Sequence, residues 1–469
     1  MLPLQDQLKP IIDLYSKGEL QEALDSIEAL KKNYPNLKVL LLEKNERFGG
    51  RVYTHHEKVD NVDYTMDLGA GRIGYHHKLM VNLIKELKLD KYMHSITNTE
   101  NYIEYNSNSG ESSNKNSIKE KYSKLLYTFF NSKKLSELKQ SFLESLSLKE
   151  LLMKFFNKKD YNNIENTFEY KQKLEHFNSY NAVNYFKEDY NLKSNFFIMT
   201  NGLSSIIDSM IAIVSQNKNY KLKKNAYVNN INYNSDIKNY VIKYKNKNKN
   251  NDNDKLVTAS ANYIICALPR CDLIKFNILK DYTRDLNTIN EISKVRIFEI
   301  YDKNENGEMW FKNIPKTVTN EKLQFIIPVN VETGLIMSSY NENLSTHSNY
   351  WNELKKKGTS ILRTILNKKL SAIFNIHVPK SKYIKLHYWQ SGVACWKKNV
   401  HSYYVSHKIL NLMPNFYICG ENYSNYQAWC EGALSSSLQV IAKLDCVLKH
   451  KNNKKTKKYK KIKVNTRKI

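Results

Sequence analysis

The sequence predicts an α/β fold in which short apolar strands end in loops rich in glycine and acidic residues. In the stretch LKVLLLEKNERFGGRVYT at 37–54, an apolar run is closed by Glu43. In NFYICGENYSNYQAWCEGALSSSLQVIAKL at 415–444, an apolar strand ends at Gly420 and a helix begins near Gly432. A strand, a loop and a helix N-terminus in this order form an anion-binding geometry, because the first backbone N–H groups of a helix lack intrahelical partners.

The acidic residue after the first apolar run is typical of a dinucleotide-binding βαβ unit, where it holds the ribose hydroxyls. Such a unit carries a Gly-x-Gly-x-x-Gly loop about 20 residues earlier, and bare backbone in that loop approaches the pyrophosphate. Alignment of this pattern on Glu43 places the three glycines at Leu20, Glu22 and Asp25. The sequence therefore predicts a nucleotide-binding domain without its first strand and phosphate loop.

Residues 4–34 show a helical pattern in place of that strand, with apolar faces on either side of Gly18. The stretch GELQEALDSIEALKKNYPN at 18–36 resembles the second half of a tetratricopeptide repeat. A single repeat of this kind cannot bury its own apolar face, because such units are stable when they are stacked. We therefore expect a helical repeat-like hairpin over 1–36 that leans on the rest of the protein, recruits a protein partner or is a remnant.

The composition of the chain indicates a globular protein of two or three domains. The 469 residues are 41% apolar and 12% aromatic, so a sizeable core can form. The net charge of +27 is partly local, since the last 21 residues contain 11 Lys or Arg and predict a basic disordered tail over 447–469. Lys, Asn and Tyr are frequent along the whole chain, so we favour compositional drift over a nucleic-acid site and leave nucleic-acid contact by the tail open.

The cysteines and histidines show no metal-binding pattern. The six cysteines lack CxxC spacing, and the pairs His55–His56 and His76–His77 lack a carboxylate or cysteine cluster that would complete a site. We therefore expect no bound metal. The chain shows neither an N-terminal apolar signal region nor an apolar run of about 18 residues, so we expect a cytoplasmic protein without a transmembrane segment, with the nucleus as the alternative.

Two polar low-complexity segments interrupt the patterned sequence, at 101–123 and 245–254. The second lies between the strand-like runs NYVIKY and NYIICAL, which predicts an overgrown hairpin loop. Residues 124–200 have a helical and aromatic pattern, whereas 280–390 mixes strands and helices, with VRIFEIY as the clearest strand. The middle of the chain is therefore predicted to hold a second domain of mixed structure.

Four stretches, in order along the chain, resemble the flavin-containing amine oxidase family, which includes monoamine oxidases, polyamine oxidases and lysine-specific histone demethylases. The first stretch is VLLLEKNERFGGRVYT and the second is DLGAGRI. The third is NGLSSIIDSM, followed by NAYVNNI and YIICALP, and the fourth is FYICGENYSNYQAWCEGALSSS. Each stretch alone is weak, but together they span nearly all of the chain from residue 37 onward.

The resemblance implies an α/β fold with a Rossmann-like FAD-binding domain, incomplete at its N-terminus, into which a mixed α+β substrate domain is inserted. The FAD-binding domain is expected to comprise residues 37–100, 195–280 and 400–446. The substrate domain is expected to comprise residues 101–194 and 281–399. The helical repeat-like hairpin then stands where the first Rossmann strand and its glycine loop would be.

The resemblance also implies which residues contact FAD. Glu43 would bind the adenosine ribose, Arg51 would neutralise a phosphate, and Val228 would place its backbone against the adenine. Glu421 would contact the ribitol–phosphate region of the cofactor. The other positions carried over from the family motifs are Gly49, Gly50, Gly69, Ala70, Gly71, Arg72, Gly420, Glu431, Gly432 and Ala433.

Three further residues are carried over to catalysis. Trp429 stands where the family often has an aromatic wall over the flavin, and Trp396 is the candidate for the opposing wall. Arg296 stands where most members carry a lysine that holds a water near flavin N5, and Lys294 lies two residues away on the same strand face. Because arginine is not deprotonated in proteins, oxygen reactivity is in question at this position.

The implied function is an FAD-dependent oxidoreductase that oxidises a small-molecule amine. A hydride would pass from the carbon beside the amine nitrogen to flavin N5, giving an imine, and oxygen would reoxidise the flavin and yield hydrogen peroxide. The alternative from another class is a degenerate oxidase fold that has lost FAD and serves as an interaction scaffold through 1–36 and the basic tail. A narrower alternative is an oxidase of the same fold that acts on amino acids or on carotenoid-like or porphyrin-like substrates.

Overall fold

The computed structural model of the chain describes residue 34 and residues 36–465, apart from 97–100, 107, 191–194, 247–254 and 345–348. For residues 255 and 450–465 it describes the backbone alone. The predicted helical hairpin, and with it the positions at which the glycine loop would stand, lies outside the described residues except for Tyr34 and Asn36.

The described residues form strands and helices that alternate along the chain. The strands are β1 Val39–Leu42, β2 Thr54–Val59, β3 Val62–Asp67, β4 Ile73–Gly74, β5 Met93–Ile96, β6 Asn101–Asn106, β7 Glu111–Asn114, β8 Phe196–Met199, β9 Tyr220–Lys223, β10 Ala226–Asn234, β11 Asn239–Asn246, β12 Lys255–Ala261, β13 Ile264–Cys266, β14 Ile289–Ile300, β15 Thr317–Thr319, β16 Phe325–Asn330, β17 Leu335–Leu344, β18 Tyr383–Trp396 and β19 Phe416–Ile418. The helices are α1 Lys78–Glu86, α2 Asn116–Phe130, α3 Lys133–Ser136, α4 Gln140–Ser145, α5 Leu148–Phe155, α6 Lys158–Thr167, α7 Lys171–His176, α8 Ser179–Asp189, α9 Ser204–Ser215, α10 Arg270–Leu273, α11 Thr283–Leu286, α12 Tyr350–Lys357, α13 Thr359–Phe374, α14 Ser402–Leu410 and α15 Cys430–Asn465. Short 3-10 helices span Asp90–Tyr92, Asn277–Tyr282 and Glu421–Tyr423.

A seven-stranded mixed sheet with the order β18-β14-β17-β16-β15-β6-β7 forms the larger half of the molecule. Its pairs are antiparallel except for β15 and β6, which run parallel. The strand β14, next to the edge strand β18, contains the predicted strand VRIFEIY and is rich in β-branched residues, which favour extended backbone. Val295 and Ile297 of β14 are fully buried in one core with Leu366 of α13 and Trp351 of α12. This sheet carries one wall of the site described below.

The polar segment 101–123 is part of this sheet, which corrects its interpretation as a low-complexity insert. It forms the hairpin of β6 and β7 and the start of α2. Tyr102 is 3% exposed, and its hydroxyl donates to the carbonyl of Asn166 at 2.8 Å. At the edge of a sheet only alternate side chains need to be apolar. A strand there therefore leaves little signal in composition.

The helical region begins earlier and ends earlier than the predicted 124–200. Helices α2 to α8 cover Asn116 to Asp189, and β8 follows after residues outside the description. Their packing depends on fully buried apolar side chains such as Leu148, Leu151 and Phe186. The sequence signal was correct for the class of structure, because the apolar residues recur at helical spacing.

The parallel strands form two separate pairs. β1, which is the strand predicted before Glu43, pairs with β9, and β13 pairs with β19. Leu40 and Leu41 of β1 are 40% and 38% exposed, although strands of parallel sheets are usually buried on both faces. In the part of the chain that the structure describes, no strand pairs with the second edge of β1. Among the described residues, β1 and β9 therefore form a parallel pair that is open at the edge of β1.

The long hairpin connects β11 to β12, and NYIICAL is not its second strand as predicted. Instead, β10, β11 and β12 form a separate antiparallel sheet. The run KLVTASA of β12 was missed because its apolar residues are few and small, whereas β13 within NYIICAL belongs to the parallel pair with β19. The predicted loop itself lies largely outside the described residues.

The final helix α15 extends to Asn465, so most of the predicted disordered tail from 447 onward is helical. Lysine has a good helix propensity, and Asp445 and Lys449 form an i,i+4 ion pair at 2.6 Å. Among the described helices, including this long one, none is apolar enough over a sufficient length to cross a membrane.

Candidate cofactor and substrate site

A cavity of about 2920 Å³ connects the incomplete parallel strands with the seven-stranded sheet. A single drug-sized ligand occupies roughly 300–1,000 Å³, so this space exceeds the needs of one small molecule. Its wall contains predicted site residues from all four sequence stretches. Those on the wall are Glu43, Gly49, Gly50, Arg51, Gly69, Ala70, Gly71, Arg72, Val228, Arg296, Gly420, Glu421, Trp429 and Ala433.

Glu43 and Val228 lie together at one end of the cavity. The backbone N–H of Ala226 donates to the carbonyl of Glu43 at 2.8 Å, so β10 begins beside the end of β1. The Glu43 carboxylate accepts hydrogen bonds from the backbone and the side chain of Asn45, at 2.8 and 2.7 Å. An irregularity in the pairing of β10 with β11 follows Val228 directly. An acidic acceptor and an exposed backbone edge thus lie next to each other.

The glycine segment 69–72 lies against Arg51 and Tyr53. The N–H of Ala70 donates to the carbonyl of Arg51 at 3.0 Å, and the N–H of Gly69 donates to that of Tyr53 at 3.2 Å. A Cβ atom on Gly69 would lie 1.9 Å from the Arg51 carbonyl oxygen, so this close approach requires glycine. The first and second sequence stretches therefore form one continuous wall.

Arg51, which was predicted to meet a phosphate, is paired with Glu421. Its Nη1 lies 2.5 Å from Oε1 of Glu421, and its Nη2 donates to Oδ1 of Asn422 at 3.0 Å. The other carboxylate oxygen of Glu421 accepts from the N–H of Ala428 at 2.7 Å. The pair ties the first stretch to the fourth, so an anionic ligand at Arg51 would compete with a carboxylate.

Glu431 and Gly432, which were predicted as cofactor contacts, are not among the residues that line the cavity. The Glu431 carboxylate accepts from the N–H groups of Leu79 and Met80 at 3.0 and 2.9 Å, and so caps the first turn of α1. Burial raises the pKa of Glu431, and these two backbone donors oppose that shift. Gly432 packs against the 424–426 loop, where a Cβ atom would lie 2.2 Å from the hydroxyl of Ser424. Both residues thus position the helix start at which Ala433 reaches the cavity.

Trp429 lines the cavity, whereas Trp396 does not. The ring of Trp429 stacks on Tyr185 and Phe196 at centroid distances of 6.0 and 5.9 Å. Trp396 is 0% exposed in the core, and its indole N–H donates to the carbonyl of Ser424 at 3.3 Å, so it forms no aromatic wall.

Trp389 lines the cavity instead, and its indole N–H donates to the carbonyl of Leu68 at 2.7 Å. Trp389 and Trp396 both belong to β18 and are separated by an odd number of residues, so they face opposite sides of a regular strand. Because of this alternation, Trp396 and Trp389 cannot both line the cavity.

Four cations converge on the part of the cavity next to Trp429, and we name Arg72, Lys173, Lys294 and Arg296 the cation cluster. The antiparallel register of β14 and β17 sets Lys294 opposite Glu342, with which it forms a buried ion pair. Nη1 of Arg296 donates to the carbonyl of Asp67 at 2.6 Å.

The other two members of the cation cluster come from outside the seven-stranded sheet. Arg72, in the glycine segment, pairs with Asp189 of α8 at 3.0 Å. The Nζ of Lys173 of α7 donates to the hydroxyl of Tyr185 at 2.8 Å. Sequence reasoning assigned Arg72 to the cofactor and missed Lys173, because α7 carries no recognisable motif.

The cations shift the pKa of their neighbours as well as their own. Burial, followed by the charge of Lys294, lowers the pKa of Lys173 to about 8. Burial alone would raise the pKa of Tyr340, but the charges of Lys294, Arg296 and Lys173 bring it below its usual range. The members of the cation cluster therefore influence one another and Tyr340 electrostatically, because their side chains are largely removed from bulk solvent.

The histidine pairs serve local structure in the described residues. Burial lowers the pKa of His77 to about 3, so the imidazole is neutral, and its Nδ1 accepts from the N–H of Gly74 at 3.1 Å. Within the described part of the chain, no three His, Cys, Asp or Glu side chains converge in a way that could hold a metal ion.

A family model described as flavin containing amine oxidoreductase matches residues 29–285, which is more than half of the chain. The match includes the first three sequence stretches and begins after the positions at which the glycine loop would stand. No curated protein matches the chain.

Proposed function

This chain belongs to the flavin-containing amine oxidoreductase family, and from that premise we propose that it is an FAD-dependent oxidase of an amine substrate. The observation that supports this most is the single cavity whose wall includes residues of all four sequence stretches. A fold that had merely kept a core would not need to bring these separated polar and glycine-rich segments to one space.

The described residues fit FAD at both of its ends. Glu43 offers an acceptor at the end of β1, where a ribose would lie. At the other end, the glycine segment 69–72 and Ala433, in the first turn of α15, line the cavity. The pyrophosphate would need donors from the region before Tyr34, where the sequence has no glycine loop. Each missing charge-assisted hydrogen bond lowers the affinity by roughly 1.5–3 kcal/mol, so we expect weak FAD binding.

Bound flavin would accept a hydride from the carbon beside the amine nitrogen, and its reoxidation by oxygen would release hydrogen peroxide. The amine has to be deprotonated, since an ammonium group has no lone pair to assist the loss of hydride. Trp429 and Tyr185 supply an aromatic wall that holds the apolar part of the substrate and excludes water. The guanidinium of Arg296, which donates to the carbonyl of Asp67, would stabilise developing negative charge beside the segment 69–72.

The visible absorption spectrum of the purified full chain, recorded after incubation with excess FAD and desalting, tests the proposal. We expect a flavin band and peroxide release with a subset of amines. Glu43→Gln should weaken FAD binding about tenfold, because a charged acceptor is lost. The matched control is Glu104→Gln, since Glu104 lies on β6 away from the cavity, and it should leave binding unchanged. A protein that stays colourless at saturating FAD would refute the proposal.

The second candidate function is an oxidase fold that no longer holds flavin and acts as an interaction scaffold. The exposed apolar residues of β1 favour it, because a strand meant to lie inside a parallel sheet is left open in the described structure. Failure to bind FAD together with a cooperative unfolding transition would support the scaffold, since the chain would then be folded without its ancestral cofactor.

A further inference from the structure

The cation cluster contains more positive charge than its neighbours neutralise. Arg72 and Lys294 each have a carboxylate partner, in Asp189 and Glu342. Among the described residues, neither Lys173 nor Arg296 forms a salt bridge with a carboxylate. Lys173 is 2% exposed, so its charge is not balanced by bulk water either.

Burial of such charges is unfavourable unless a counter-charge is supplied. The Nζ of Lys173 lies 4.4 and 4.2 Å from the ring centroids of Tyr170 and Tyr185, and Cζ of Arg296 lies 4.8 Å from that of Tyr340. Cation–π contacts of this kind offset only part of the desolvation, roughly 0.5–2 kcal/mol each. An anion bound inside the cavity would offset the rest of the desolvation free energy.

The cation cluster is next to the aromatic wall rather than at the nucleotide end. Lys173 bonds to Tyr185, which stacks on Trp429, whereas Glu43 and Val228 line the cavity beside β1 and β10. A ligand that fills this region would place an apolar body on the aromatic rings and a negative group on the cations. A polyamine would bring further positive charge to a site that already has an excess, and like charges repel strongly where water is scarce.

Resting on the proposed function, we infer that the substrate is an amine that also carries a carboxylate, and that the cation cluster binds this carboxylate. Lys173 and Arg296 supply the charges without a partner, and the ion pairs of Arg72 and Lys294 hold the walls on either side.

Calorimetric titration of the purified full chain with phenylbutyrate and phenylbutylamine tests the inference. The two probes share an apolar body and differ in the sign of the charged group. We expect phenylbutyrate to bind at least tenfold more tightly. Lys173→Met should weaken its binding at least tenfold, whereas Lys443→Met, at a partly buried lysine of α15 outside the cavity wall, should leave it unchanged.

Lys173→Met should fold, because it removes a buried charge and keeps the apolar stem. If it does not, Arg296→Gln provides the same test with the same expected direction. Equal or tighter binding of phenylbutylamine, or no binding of either probe, would overturn the inference. Loss of phenylbutyrate binding on saturation with FAD would also overturn it, since the cations would then serve the flavin. The absorption spectrum tests the proposed function, and the titration tests the inference. The two tests are independent, because the titration needs neither bound FAD nor turnover.

Discussion

The seven-stranded sheet and the parallel strand pairs differ in how completely their residues are buried. Ten of the twelve residues of β14 are buried, whereas none of the four residues of β1 is. β14 pairs with a strand on each of its two edges, but β1 has a single partner among the described strands. Among the described residues, β14 is therefore enclosed by its neighbours, whereas β1 leaves apolar side chains exposed.

Leucine-to-alanine substitutions in α13 and in β1 should differ most in their effect on the free energy of unfolding. Leu366→Ala in α13, at a site that is 0% exposed, should lower the free energy of unfolding by about 2–5 kcal/mol through cavity formation. Leu40→Ala in β1, at a site that is 40% exposed, should lower it by less than about 1 kcal/mol. Denaturant unfolding measures both. Equal losses would mean that β1 is covered in solution.

Arg51 and Glu421 form an ion pair, and its loss should have the second-largest effect on the free energy of unfolding. Arg51→Met leaves the carboxylate of Glu421, 8% exposed as a side chain, without its cation. We expect the free energy of unfolding to fall by about 2–3 kcal/mol. Arg284→Met, at an exposed arginine of α11, is the matched control and should change it by less than about 0.5 kcal/mol. A negligible effect of Arg51→Met would show that solvent satisfies Glu421.

The affinity for phenylbutyrate should depend on pH, because groups in and beside the cation cluster titrate. Lys173 is protonated below its pKa of about 8, and Tyr340, whose pKa is also lowered, is neutral there. Raising the pH from 7 to 9.5 therefore removes one positive charge and adds a negative one, while the probe stays ionised. The groups that set the pKa of Lys173 by their charge are Lys294, Glu342, Tyr340 and Asp189.

Over this pH range we expect the affinity for phenylbutyrate to fall about tenfold, which corresponds to about 1.4 kcal/mol. Lys173→Met should reduce the pH dependence, because Tyr340 alone would then titrate, and Lys443→Met should leave it unchanged. A flat profile in the unmodified chain would show that these two groups do not titrate in contact with the ligand.

The smallest expected effect concerns the cap between α1 and α15. The two carboxylate oxygens of Glu431 accept from the N–H groups of Leu79 and Met80. Glu431→Gln keeps one acceptor oxygen and removes the negative charge. The loss of a cap of this kind lowers the free energy of unfolding by about 1 kcal/mol. Denaturant unfolding beside Glu104→Gln checks it. An unchanged midpoint would return Glu431 to consideration as a ligand contact.

Contiguous patterns in the sequence led to correct predictions where one strand or one loop carries the whole signal. The run Val39 to Leu42 is the strand that was expected, and Gly69 lies in close contact with the backbone of Arg51, where a side chain would not fit. The sequence did not indicate that Trp396 is buried in the core or that Glu431 bonds to the backbone of Leu79, because both facts depend on elements that are distant along the chain.

The sequence by itself determined the family and the α/β class, because strands, glycines and acidic residues at fixed spacing act through local backbone geometry. Only the tertiary structure decided that Lys173 of α7 meets Lys294 and Arg296 of β14 beside the aromatic wall. The strength of a charge cluster depends on distances in space and on the removal of water, and neither quantity is written in the spacing of residues along a chain.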